Sequence, residues 1–111
     1  MSERKDALQE LLAKVEAGGR LPMVGRANHT GLNYIQVMKA HDGSLDAAKA
    51  LHEAVLEGFS WSVSKHDRAY ISRHTDPDDT RTWIEVSAQS DNPARAWLIA
   101  IIKALIAQEG E

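Results

Sequence analysis

Apolar residues recur every three or four positions in three stretches of the chain, as in helices with one buried face. The first stretch covers residues 2–17 and ends at Gly18-Gly19. The second begins at Ser44, a good helix cap, and ends at Gly58. The third begins at Asn92-Pro93 and runs through Ala107. The expected buried positions are Ala7, Leu8, Leu11, Leu12 and Val15, then Ala47, Leu51, Ala54 and Val55, and finally Ala94, Trp97, Leu98, Ile101, Ile102 and Leu105.

Between the second and third helices, apolar and polar residues alternate strictly, which is typical of strands that bury one face. The alternating runs are 59–64, 68–72 and 83–88, joined by a short turn at His66-Asp67 and a polar turn at 75–80. Connections this short predict an antiparallel meander. The core face should carry Trp61, Val63, Ile71, Ile84 and Val86, and the opposite face the serines, Arg68, Tyr70, Arg81, Trp83 and Glu85.

Residues 32–40 fit two structures. Tyr34, Ile35 and Val37 favour a strand, whereas Leu32, Ile35 and Met38 would also form one helical stripe. The β-branched content favours the strand, so we expect residues 32–39 to add a fourth strand. Residues 20–31 carry Pro, Gly and Asn and indicate an irregular connection.

These patterns predict one domain over residues 1–111 of the α+β class. Its centre is a three-stranded, or with 32–39 four-stranded, antiparallel meander sandwiched by helices. The α-β-β-β-α core spans 44–108, with the helix over 1–19 and the connection over 20–43 before it.

Composition limits the cellular compartment and the classes of partner. The chain has no cysteine, so disulfides and thiol chemistry are excluded, which fits a cytoplasmic protein. The charged N-terminus does not resemble a signal peptide, and no apolar run reaches the length of a membrane span. The net charge of −3 argues against unselective binding to nucleic acid.

Three motifs carry a resemblance to a known family. They are Ser44-Leu45-Asp46-Ala47-Ala48, Gly58-Phe59-Ser60-Trp61-Ser62-Val63 and Asn92-Pro93-Ala94-Arg95-Ala96. With them, residues 44–107 resemble the small phage and prophage proteins of the phage ABA-sandwich domain. The resemblance implies a sheet between helix layers and a phage or prophage origin. The motifs are structural and imply no catalytic residue.

Candidate chemistry is sparse. None of the five histidines has metal-ligand spacing, although His66, His74 and Asp76 could meet near a hairpin. Asp76, Asp78 and Asp79 lack the glycine and the final glutamate of a calcium loop. No phosphate loop or nucleophile motif is present. We therefore expect no catalytic residue, no metal and no cofactor, and hence no enzyme.

Binding functions remain. The leading hypothesis is a phage or prophage accessory protein, with counter-defence as one role, that binds a host or phage protein in the bacterial cytoplasm. Its exposed aromatic and arginine residues would be the anchors. The alternative is nucleic-acid binding on the sheet face, because the element order is also that of double-stranded-RNA-binding domains. The start of the last helix lacks their lysine cluster, so nucleic acid is the less favoured partner. The candidate surface in both cases is Arg68, Tyr70, Arg81 and Trp83.

The last helix carries a second apolar stripe, with Ile99 and Ile106. A sheet covers only one side of a helix, so this stripe needs a further partner. Either the first helix or a second copy of the chain would cover it. Ile99 and Ile106 are therefore the candidate residues for a homodimer.

Overall fold

The computed structural model describes residues 3–18, 32–56, 59–64, 68–76, 79–90 and 92–109. Four helices and three strands lie in these ranges, and the predicted α+β class is confirmed. In chain order they are α1 (Glu3–Ala17), α2 (Tyr34–His41), α3 (Leu45–Val55), β1 (Ser60–Ser64), β2 (Arg68–Asp76), β3 (Asp79–Gln89) and α4 (Pro93–Glu109).

The helix boundary signals act as the sequence predicts. The Ser44 hydroxyl accepts the backbone N–H of Ala47 at 3.2 Å, and Asn92 Oδ1 accepts that of Arg95 at 2.7 Å. Both bonds satisfy amides at a helix start that have no partner within the helix. Gly18 follows α1 with φ of +79°, a conformation that favours glycine.

The sheet is an antiparallel meander in the order β1-β2-β3. Trp61 pairs with Ile71, which pairs with Val86, and Ser62 pairs with Tyr70 in the same way. The predicted alternation of faces is therefore correct. The β2–β3 hairpin extends further than predicted, to Asp76 and Asp79, because ladder hydrogen bonds join backbones and polar side chains do not end them.

The expected fourth strand at 32–39 is wrong, because α2 occupies this segment. Asn33 Oδ1 caps the helix by accepting the amides of Ile35 at 3.1 Å and Gln36 at 3.4 Å. The helix buries Val37 and packs against α3 and α4. The polar cap and this tertiary packing outweigh the strand preference of the β-branched residues, because that preference is weak.

The central layer is α4, not the sheet. One side of α4 packs against the sheet and the other against α1, α2 and α3. The opposite sheet face is exposed at Ser60, Ser62, Arg68, Tyr70, Ser87 and Gln89. The described helices thus lie on one side of the sheet, unlike the helix layers on both sides that the family resemblance implies. The reason is that α4 is apolar around most of its circumference and needs cover on two sides.

The buried face of α3 is rotated relative to the expectation. Ala47, Ala48, Leu51 and His52 are buried, whereas Ala54 is exposed. The face turns because α3 packs against both α2 and α4. This rotation brings His52 into the interior.

Candidate functional site

An open groove of about 410 Å³ lies where the first turns of α3 and α4 meet β1. This volume is within the range of sites that hold small ligands or side chains of a partner. The lining residues are Leu45, Asp46 and Lys49 from α3, Trp61, Val63 and Ser64 from β1, and Pro93 and Trp97 from α4.

The two helix starts lie side by side because of Gly43. This glycine has φ of +114°, which other residues rarely adopt. A Cβ at this position would lie 4.0 Å from the Asn92 side chain, so the turn before α3 runs next to the cap of α4. The turn therefore places Leu45 and Pro93 on the same groove.

Two stacked tryptophans form the apolar wall of the groove. The ring centroids of Trp61 and Trp97 are 4.3 Å apart and the planes meet at 30°. Trp97 is 3% exposed, whereas Trp61 is 45% exposed. The stack gives Trp61 a rigid support on one side and leaves much of its ring accessible.

The exposure of Trp61 departs from the sequence expectation, which placed it on the core face. It does lie on that face, opposite Ile71, which is fully buried. However, of the two edge strands β1 and β3, α4 packs closely on β3 and on the central strand β2 but only slightly on β1. The cover over Trp61 is therefore incomplete.

His52 holds Trp97 in place from the interior. The Trp97 indole N–H donates to His52 Nδ1 at 3.3 Å, and His52 Nε2 lies 3.1 Å from the carbonyl oxygen of Phe59. A carbonyl only accepts and an indole only donates. These partners select the neutral imidazole with its proton on Nε2.

Electrostatics agree with this assignment. Burial lowers the pKa of His52, and the hydrogen bond to Phe59 and the charge of Glu53 oppose that effect only in part. Protonation would also place a second donor against the Trp97 indole N–H. The neutral imidazole and the Trp97 orientation thus depend on each other.

Two charged side chains border the groove. Lys49 Nζ lies 3.8 Å from Glu53 Oε1, one turn further along α3, and both side chains are exposed. Asp46 lies in the first turn of α3, where the helix dipole favours an acid. No cation of the described residues lies within ion-pair distance of Asp46. The groove thus combines a π surface with an available carboxylate.

The imidazole of His52 is engaged in the interior beneath the groove. Ser64 lines the groove from β1, but strand alternation turns its side chain to the face opposite Trp61 and Val63. Both ring nitrogens of His52 already have partners in the interior, so the imidazole is not available to activate Ser64.

Two of the four predicted surface residues lie together. Arg68 and Tyr70 are exposed on the open face of the sheet, two residues apart on β2. Arg68 Nη2 donates to Gln89 Oε1 at 3.1 Å across the β2–β3 pair. Tyr70 is 41% exposed and lies between Ser62 and Ser87.

Arg81 and Trp83 belong to the other end of β3. Trp83 pairs with His74, whereas Tyr70 pairs with Ser87, four residues along the strand and about 13 Å away at the usual rise per residue. The side chains of Arg81 and Trp83 lie outside the described residues. The backbone register therefore separates the predicted set into two pairs.

The candidate residues for self-association lie against the chain's own core. Ile99 is 3% exposed, and Ile106 is half-buried and packs on the core. α1 packs along α4, and its residues Leu8, Leu11 and Val15 belong to the same core cluster as Ile99. Ile99 is thus not available to a second copy.

Most of the histidine and aspartate side chains that the sequence suggests as ligands lie outside the described residues. His66 and Asp78 fall outside the described residues, as do the side chains of His74, Asp76 and Asp79. Within the described part of the chain, no three His, Asp or Glu side chains are arranged to hold a metal ion.

The Trp61–Trp97–His52 cluster was not predicted from sequence. His52 and Trp97 are 45 positions apart, and no motif links them. The sequence does indicate that Trp61 and Trp97 lie close together, because it places both on faces that pack in the core. The pattern does not indicate that the strand carrying Trp61 is incompletely covered.

The comparisons with known proteins add no relative: no family model, curated protein or solved structure matches this chain. The likeness to phage ABA-sandwich proteins accordingly rests on the three sequence motifs. Among the described helices, none is both long enough and apolar enough to cross a membrane.

Proposed function

We propose that this protein is a non-enzymatic binding protein that docks a segment of another protein in the groove beside β1. The observation that carries the proposal is Trp61, which is 45% exposed although it stacks on a buried tryptophan. Tryptophan is the residue type most enriched among the anchors that dominate binding energy at protein interfaces.

Preorganisation supports this role. Trp97 covers one side of Trp61, and His52 fixes Trp97 from the core. A side chain that is already immobile loses little conformational entropy when a partner binds. The supporting residues are buried, so the exposed ring is held in one position before any partner arrives.

The biological setting in this proposal is that of a phage or prophage accessory protein in the cytoplasm of a bacterial host. Its partner is a host or phage protein, and counter-defence is the role we propose. The support for this setting is the resemblance of residues 44–107 to phage ABA-sandwich proteins and the absence of cysteine.

Nucleic-acid binding on the open sheet face is the competing function. Phosphate recognition depends on several cations acting together. Arg68 is the one cation of that face whose side chain the structure describes, and it is bonded to Gln89, while Arg81 lies near the other end of β3. The net charge of −3 also disfavours a phosphate partner. The groove therefore supports protein binding better than the sheet face supports nucleic acid.

Affinity capture from bacterial lysate, with quantitative mass spectrometry, tests the proposal when three baits are compared. Trp61→Ala should lose the captured protein, because it removes the anchor. Tyr70→Ala is the matched control, since it removes an equally exposed aromatic from the other sheet face. Loss with Tyr70→Ala but not with Trp61→Ala would refute the groove. Nuclease-sensitive, salt-dependent capture would establish the nucleic-acid alternative instead.

A further inference from the structure

The groove runs beside β1, which is an edge strand of the described sheet. β1 pairs with β2 along one side, and no strand of the described residues pairs with its other side. All five residues of β1 are exposed or half-exposed. The backbone N–H and C=O groups along the edge of a sheet are a template for another strand.

We propose that an extended peptide segment of the partner adds to β1 as a fourth strand and places an arginine side chain over Trp61, next to Asp46. This inference rests on the proposed function and specifies the partner's chemistry. Neither the groove nor the edge is assigned a role by any sequence motif.

The strand geometry follows from the position of the groove. Trp61 and Val63 point into it from β1, while α3 forms its far side. A groove between an edge strand and a helix is a recurrent site for peptides that bind by strand addition. Side chains alternate between faces, so every second residue of the added strand would point into the groove.

The charges favour a cation in the groove. Asp46 lines it and has no cation from the described residues within ion-pair distance. Lys49 also lines the groove, but its ammonium lies 3.8 Å from the Glu53 carboxylate, so Asp46, Lys49 and Glu53 together carry one negative charge. The chain as a whole has a net charge of −3. These charges complement a basic segment and disfavour an acidic one.

The aromatic wall favours arginine over lysine. A guanidinium is planar, stacks on an indole face and can bond a carboxylate at the same time. Trp61 and Asp46 supply these two surfaces in one groove. A lysine ammonium would use the same charge but not the stacking surface.

The probe is the capped peptide Val-Thr-Arg-Thr-Val, in which the arginine and both valines share one face when extended. Titrations followed by ¹H–¹⁵N NMR on the full chain should shift the Trp61 indole N–H and the outward amides of β1. Replacing arginine by citrulline, which has the same shape without charge, should weaken binding about five-fold. Replacement by lysine should weaken it less than citrulline does.

Protein variants test the same contacts. Trp61→Ala should abolish saturable binding, and Trp61→Phe should retain part of it. Asp46→Asn should reduce the difference between the arginine and citrulline peptides, which identifies a direct coupling of the two groups. Tyr70→Ala is the control on the other face and should bind as the wild type does. Each variant's NMR spectrum verifies that it is folded.

Several outcomes would overturn the inference. Equal binding of the arginine and citrulline peptides would show that the groove does not select a cationic side chain. Tighter binding of a peptide with leucine in place of arginine would show that the groove is an apolar site. Indole shifts without β1 amide shifts would exclude strand addition. Concentration-dependent dimers that bury Trp61 would show that a second copy is the occupant. If Trp61 is needed for capture of a protein but the peptide does not bind, the proposed function stands and only the inference of an arginine-bearing extended segment is refuted.

Discussion

The indole N–H of Trp97 donates to Nδ1 of His52 across 3.3 Å, joining α4 to α3 beneath the groove. The other nitrogen of His52 faces the Phe59 carbonyl, at the entry to β1. One buried imidazole thus connects the three elements that line the groove. Changes at His52 should therefore affect both folding and binding, whereas changes at Trp61 should affect chiefly binding.

Acid should destabilise the protein through His52. Burial lowers its pKa in the folded state, so the unfolded chain takes up the proton first as the pH falls. The contribution of neutral His52 to the free energy of unfolding should be complete above a pH of about 6.5 and decline below it, towards the lowered folded pKa. Urea denaturation at a series of pH values between 7.5 and 5 measures this.

His52→Gln is the matched variant for the acid experiment. Its amide keeps a donor for Phe59 but does not titrate, so the variant should be less stable at neutral pH and should lose much less stability on acidification. An unchanged pH dependence in this variant would assign the effect to another group.

The two stacked tryptophans should respond differently to truncation. Trp97→Ala should cost about 3–5 kcal/mol of unfolding free energy, because it opens a cavity in the core and leaves His52 without its donor. Trp61→Ala should cost about 1 kcal/mol, since its ring is half-exposed and loses chiefly the stacking contact. Chemical denaturation compares them, and equal losses would contradict the proposed division between support and binding surface.

The cap of α4 should contribute measurably to stability. Asn92→Ala removes the acceptor for the Arg95 amide and should cost about 1 kcal/mol. Asn92→Ser keeps a capping oxygen and should cost less. Thermal unfolding followed by circular dichroism tests this order, and an Asn92→Ala protein as stable as the Asn92→Ser protein would show that the bond does not contribute.

The protein should be a monomer. Light scattering should give 12.2 kDa, because Ile99 is already buried within the core of a single chain. Ile99→Glu should unfold the chain by burying an unpaired charge. Ile106→Glu should be milder, since that residue is half-buried. A wild-type dimer that Ile106→Glu converts to a folded monomer would support the self-association hypothesis instead.

Local signals were sufficient where a structure depends on neighbouring residues. Ser44 and Asn92 cap helices because their side chains accept hydrogen bonds from amides three residues ahead. An interaction this local can be predicted from residue type and position. Alternation within the runs 59–64, 68–72 and 83–88 likewise predicts the faces of the meander, because side chains in a strand alternate whatever packs on them.

The helix at 34–41 and the exposure of Trp61 depend on contacts between elements that are distant in the sequence. Residues 34–41 became a helix because an Asn33 cap and packing against α3 and α4 outweighed a weak strand preference. The periodicity of the sequence places Trp61 and Trp97 on the apolar side of the sheet. The packing of α4 against β2 and β3 leaves β1 partly uncovered, so that one tryptophan is buried and bonded to His52 while the other remains exposed. Cover over a strand depends on distant elements, and the periodicity of the strand contains no information about it.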